Sequence, residues 1–233
     1  MSMILKMLRF LTLQEKPFKV NILKNLLMNF SLGLTQQYQA IYVRALGATA
    51  LQLGYVVSIG GLATILLSIP VGLLADRQGI KRMLIVAIAF FAAAYSIFGL
   101  APGWQLTAFA YIFSSLAMLI SNNVCPMVCG ACLKSSERTT GMQLCDTVAA
   151  IPRLFSPIIA ALVISYLGGL TAEGIRPLFW LSSLVVLVAF MVIFKWFDNP
   201  IVPNAAASRS LTSGIRRVFS EGVNVKRWAY TIH

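Results

Sequence analysis

The chain has 233 residues, of which 58% are hydrophobic and only 11% charged, with a formal net charge of +12 and a mean hydropathy of +0.81. A water-soluble domain carries about 25% charged residues, so this composition excludes one and makes lipid the solvent for most of the chain. The basic excess would suggest nucleic acid in a soluble protein, but its distribution along the chain argues against that partner.

In chain order, Met1 to Leu13 is apolar but interrupted by Lys6 and Arg9. No small-residue cleavage site follows, so no cleavable signal peptide is expected. Ile4, Leu5, Leu8 and Leu11 recur at helical spacing and suit a helix lying along the membrane interface. A helix needs about 20 apolar residues to cross the hydrocarbon. Six stretches meet this: 25–43, 48–75, 83–101, 104–133, 140–166 and 177–194. The first is uncharged but polar, and the fifth contains Asp146 and Arg153. Runs of this length without strict alternation exclude a closed barrel of strands. The expected fold class is therefore an all-α membrane protein with six transmembrane helices. Its divisions are a cytoplasmic segment at 1–19, the membrane domain at 20–197, and a polar tail at 198–233.

The basic residues fall mostly on one side of this topology. With the N-terminus cytoplasmic, Lys6, Arg9, Lys16, Lys19, Arg77, Lys81, Arg82, Lys134, Arg138 and Lys195 lie inside, and only Arg44 and Arg176 face out. The asymmetry obeys the positive-inside rule and places both termini in the cytoplasm of a cell (plasma or inner) membrane protein. The charge is topological, and no nucleic-acid partner is expected.

Cys125, Cys129 and Cys132 spell C-x3-C-x2-C, a spacing used to hold iron–sulfur clusters. Here the three lie at the end of an expected membrane helix, with Pro126 and Gly130 between them. Together with Cys145 they read as small buried hydrophobes, so no metal and no cofactor are expected. The lone His233 is terminal, and no nucleophile–base pair is placed in the sequence, so an enzyme is not expected.

Charged groups within a span cost roughly 2.5–3.5 kcal/mol at its centre and are functional candidates by default. Asp146 and Arg153, seven residues apart, share one helix face. Two readings stay open. In one, Arg153 faces a central cavity and binds an anionic group, with Asp146 as its partner. In the other, residues 154–172 span alone and Arg153 snorkels to the inner surface. The first helix carries Asn21, Asn25 and Asn29, then Thr35, Gln36, Gln37, Gln39 and Tyr42, and the fourth carries Asn122 and Asn123. Amides do not face lipid cheaply, so they line a cavity or bond to neighbouring helices.

The link between the second and third spans is Gly72 to Arg82, GLLADRQGIKR. It resembles the loop between the second and third helices of the major facilitator superfamily, G-x-L-A-D-R-x-G-R-K-R, and departs from it at Ile80. The link at residues 44–50 and the run LQLGYVVSIGGLATILLSIPVGLLADRQG are similar to that family's first loop and second helix. Gly54, Ser58, Gly61 and Ala63 would let this helix pack closely on a neighbour. The family's fourth-helix arginine is absent here. Its fifth-helix antiporter pattern survives only as Ser156, Pro157, Ala160 and Ala161.

The resemblance implies the N-terminal half of such a transporter, built as two three-helix inverted repeats. It implies secondary active transport of a small solute by alternating access, as a permease or efflux protein. The implied gating residues are Gly72, Asp76, Arg77, Gly79, Lys81 and Arg82, with Asp76 capping the third helix. The implied substrate contacts are Asn29, Gln36, Gln37, Asn122, Asn123 and Arg153. The tail then looks like the central loop, followed by the start of a truncated seventh helix at residues 225–233. Besides lipid and solute, the expected partner is a C-terminal six-helix half or a second copy. The alternatives are a half-transporter working as a homodimer or with a separate half, and a non-transporting regulatory protein.

Overall fold

A computed structural model describes residues 14–198, apart from the side chains of residues 73 and 75–78. The described residues contain helices and no strands: α1 Lys16–Thr35, α2 Gln39–Ala45, α3 Ala50–Gln78, α4 Ile80–Leu100, α5 Trp104–Cys132, α6 Arg138–Tyr166 and α7 Ala172–Trp196. Five of them, α3 to α7, are long and apolar enough to cross a membrane. The first expected span is divided instead between α1 and α2. α1 carries Lys16, Lys19 and Lys24 among its 20 residues, and α2 is only seven residues long. The expectations for residues 1–13 and 199–233 lie outside the described residues.

The division of the first span has a local cause. Thr35 Oγ1 donates back to the Ser31 carbonyl at 3.1 Å. The Tyr38 amide then closes a shorter loop on the Thr35 carbonyl at 3.0 Å, before Tyr42 resumes the ladder on Tyr38 at 2.8 Å. A back-bonded threonine and a tightened turn bend a helix without any proline. α3 begins at a reciprocal cap, in which Thr49 Oγ1 accepts from the Gln52 amide and Gln52 Oε1 accepts from the Thr49 amide. One residue, Gly79, separates α3 from α4, with φ 77° and ψ 156°. That conformation belongs essentially to glycine. At the end of α5, Arg138 donates to the Gly130 and Leu133 carbonyls at 2.9 and 3.4 Å, supplying donors that the terminal carbonyls lack.

The helices do not pack in chain order. The principal contacts run α3 on α5, α5 on α4, α4 on α7, α7 on α1, and α1 on α6. Small residues set the closest approaches. Ser31 and Ser182 each donate a hydroxyl to the other's carbonyl at 3.3 Å, fastening α1 to α7. Gly54 and Gly61, expected to pack closely, face open space; the close approach falls on Gly60. A methyl there would lie 2.6 Å from Ser115 Oγ and 3.3 Å from the Tyr111 carbonyl oxygen on α5. A shift of one residue turns a helix by about 100°, and a run of small residues does not reveal which of them faces the neighbour.

One end of the bundle is tied by a polar knot inside an aromatic cluster. Phe98 stacks on Phe179 at 4.7 Å, and Tyr42 lies 4.9 Å from Phe179. The Tyr42 hydroxyl donates to the Phe98 carbonyl at 2.8 Å. Arg176 donates to the Ala101 carbonyl at 2.9 Å and more weakly to the Tyr42 hydroxyl at 3.4 Å. The ends of α2, α4 and α7 are thereby joined. At the opposite end, Lys16 and Asp198 form an ion pair at 3.1 Å with both side chains mostly exposed. Such a pair contributes only about 0–1 kcal/mol.

Candidate functional site: a polar cavity between α1, α5 and α6

The polar faces of α1, α5 and α6 enclose a cavity of about 340 Å³. α1 contributes Asn25, Met28, Asn29 and Leu32, and α5 contributes Met118, Ser121, Asn122, Cys125 and Pro126. From α6 come Met142, Cys145, Asp146, Ala149 and Arg153. A second basin of about 320 Å³ adjoins it, lined by Gln36, Gln39, Thr64, Ser114 and Ser115 among others. Leu32, Met118 and Asn122 line both, so the two basins form one groove.

The structure brings together Asn29, Asn122, Asp146 and Arg153 in the first basin, and Gln36 and Asn122 in the second. Asp146, Ala149 and Arg153 lie on one face of α6 because their spacing follows the helical turn. No ion pair joins Asp146 to Arg153 among the described residues, and both side chains are exposed. Gln37 and Asn123 line neither basin, and Asn123 Nδ2 donates back to the Leu119 carbonyl at 3.0 Å. Asn29 Nδ2 donates to the Asn25 carbonyl at 2.7 Å, and its buried Oδ1 has no partner among the described residues.

The Gly72 to Arg82 segment lies at the end of the bundle where α3 meets α4. Gly72, Asp76 and Arg77 belong to the closing turns of α3, and Lys81 and Arg82 to the first turn of α4. Gly79 itself holds the N-cap position of α4. The capping expected of Asp76 falls on a side chain outside the described ones.

Two features were missed in the sequence. Lys24 is buried to 1% exposure, and its ammonium has no hydrogen-bond partner among the described residues. Starting the first span at residue 25 put this lysine just outside it, although it stands within the Asn21, Asn25, Asn29 series. The second is a group of three thiols. Cys125 and Cys129, one turn apart on α5, meet Cys145 of α6, with all three sulfurs within 4.8 Å of one another. Cys132, the third member of the sequence pattern, is not in the group. The signal available was the i, i+4 spacing of Cys125 and Cys129.

Among the described residues, membrane-length helices packed around a polar groove define a multi-pass membrane protein. The profile of the Major Facilitator Superfamily matches residues 25–231, and the chain belongs to that family. No curated protein matches the chain in sequence. Among solved structures, it is similar to a mutant of the peptide transporter POT in complex with sulfate, at 16% identity and TM-score 0.65. That alignment covers 93% of this chain and 46% of the transporter. The human organic anion transporter MFSD10 (TETRAN) is similar at 14% identity and TM-score 0.59, with 84% of this chain and 50% of that one covered. The chain thus spans about half the length of the solved transporters it matches. Its family is one of transporters rather than enzymes.

Proposed function

We propose that this chain forms the N-terminal six-helix half of a secondary transporter, which moves a small solute by alternating access. The observation that carries this reading is the polar groove, in which Asn29, Gln36, Asn122, Asp146 and Arg153 line connected basins within an otherwise apolar bundle. Amides and unpaired charges are costly against lipid, and a water-filled path is the setting that offsets the cost. Arg153 supplies a site for an anionic group, and the amides supply neutral donors and acceptors.

The packing supports two three-helix repeats. α1 packs on α6 and α7 as α5 packs on α3 and α4, while α4 and α7 pack on each other. Exchanging the first three spans with the last three therefore leaves the pattern of neighbours unchanged, as inverted repeats require. The end bearing Lys16, Lys81, Arg82 and Arg138 is the cytoplasmic one by the positive-inside rule. There Gly72, Asp76, Arg77, Gly79, Lys81 and Arg82 form one side of a gate. α3 and α6, the outermost helices in the packing order, leave Ile65, Leu66, Leu154, Phe155 and Ile158 exposed. These apolar faces flank the groove and suit a second six-helix half.

The test is solvent access along the groove. In native membranes, Asn122→Cys should react with a membrane-impermeant maleimide, located by peptide mass spectrometry, whereas Leu154→Cys and the buried Val124→Cys should not. An Asn122→Cys as inert as Leu154→Cys would remove the aqueous path and the transport reading with it. Solute class is read from thermal shifts of the purified chain with panels of anionic and neutral solutes. Stabilisation by an anion should be lost in Arg153→Ala.

A further inference from the structure

We infer that Cys125, Cys129 and Cys145 form a binding site for a soft divalent cation of the zinc or cadmium type, with Lys24 as its charge-balancing neighbour. The three sulfurs come from two helices and already lie within 4.8 Å of one another. A metal–sulfur bond of about 2.3 Å sets trigonal sulfurs about 4 Å apart, so less than 1 Å of contraction closes the site. Cys129 and Cys145 are buried at 0% and 1% exposure, and Cys125 is half-buried where the cavity reaches it. The site is thus shielded on one side and open to an entry path on the other.

The surrounding groups fit bound thiolates better than neutral thiols. Asn21 Nδ2 lies 3.9 Å from the Cys125 sulfur and 4.0 Å from that of Cys145, and Asn25 Nδ2 lies 3.8 Å from Cys125. These amides donate to sulfur, as partners around metal-bound thiolates do. The independent observation is Lys24, whose buried ammonium has no hydrogen-bond partner among the described residues and which stands on α1 between Asn21 and Asn25, the residues whose amides reach these sulfurs. An isolated charge buried in this way is costly. Three thiolates, one divalent cation and one ammonium sum to zero, so a single occupant neutralises the whole buried cluster. On binding, the three thiol protons leave to water through the cavity and Lys24 keeps its own. Soft thiolate donors select ions of this class over magnesium or calcium.

The test uses the full chain, purified in detergent under reducing conditions and titrated with cadmium chloride alone. One cadmium per chain is expected, read as the ultraviolet sulfur-to-cadmium charge-transfer band. Cys129→Ser and Cys145→Ser should each abolish the band, and Cys132→Ser should leave it unchanged. Lys24→Met should weaken cadmium binding by about 10- to 100-fold, the range for groups that support a metal's ligands. A second measurement needs no variant: saturating cadmium should protect three of the four thiols of the native chain from alkylation, leaving Cys132 to react at its metal-free rate. Absence of the band, its persistence without Cys129 and Cys145, or equal protection of all four thiols would each overturn the site.

Discussion

Gly60 and Gly61 are neighbours on α3, yet a methyl group meets different surroundings at each. At Gly61 it would find nothing within 4 Å, whereas at Gly60 it would lie 2.6 Å from Ser115 Oγ and 3.3 Å from the Tyr111 carbonyl oxygen. The serine hydroxyl can rotate away, but the carbonyl belongs to the α5 backbone, so the two helices must separate by a few tenths of an ångström. Overpacking of this kind costs about 1–3 kcal/mol. Replacing a helical glycine by alanine recovers about 0.5–1 kcal/mol at either position. That gain cancels in the comparison, leaving Gly60→Ala less stable than Gly61→Ala by about 1–3 kcal/mol. At roughly 2–4 °C per kcal/mol for a chain of this size, the two variants should melt about 2–12 °C apart. The assay is thermal unfolding in detergent with a thiol-reactive fluorophore, which reports exposure of the buried Cys129 and Cys145. Adding Ser115→Gly to Gly60→Ala should recover little of the loss, because the Tyr111 carbonyl on the α5 backbone stays in place. If the two alanine variants melt together, α3 does not approach α5 at Gly60 and the helix is rotated from the position described.

Three further outcomes follow from other sites, each read by the same unfolding assay. Tyr42→Phe removes the donor to the Phe98 carbonyl and an acceptor for Arg176; it should cost about 1–2 kcal/mol, and an unchanged melting temperature would mean the knot does not hold. Gly79→Ala should cost about 1–3 kcal/mol through backbone strain, since its φ is 77° and a methyl there meets none of the described atoms within 4 Å. Gly72→Ala, in a helix and with none of the described atoms within 4 Å of its methyl, should not lower stability, and equal effects at the two glycines would refute the strain argument. Lys24→Met removes an unpaired buried ammonium and should stabilise the metal-free chain by about 1–4 kcal/mol, the scale seen when buried charges give way to apolar groups. Destabilisation by Lys24→Met would show that the ammonium has a partner.

How much was legible in the sequence depended on the kind of signal. Five spans were readable because a predominantly apolar run of membrane length is at home only as a helix in lipid, and Gly79 was readable as a turn because the flanking charges end two such runs. The first span was harder. Its polar side chains marked it as unusual, but the bend at Thr35 arises from one back-bond to Ser31 that composition does not express. Asp146 and Arg153 were found because charge within an apolar run is conspicuous. Lys24 was lost because it sits at the run's edge, where three-dimensional packing decides which residues are covered. The cysteines show the same limit. The eye groups Cys125, Cys129 and Cys132 by proximity in sequence, while the fold groups Cys125 and Cys129 with Cys145 across two helices.

The order in which the helices pack bears on how the chain is assembled. Synthesis delivers α1 to the bilayer before α3 to α7, but its partners are α6 and α7, and the Ser31–Ser182 contact joins residues 151 positions apart. α1 therefore waits, with Asn21, Lys24 and Asn29 uncovered, until the rest of the bundle has been made. A helix so polar is poorly suited to wait in lipid alone. The insertion machinery must shelter it through that interval, and truncations that remove α7 should leave α1 without the surface that retains it in the membrane. A helix made before α3 to α7 is thus among the last to be fully packed.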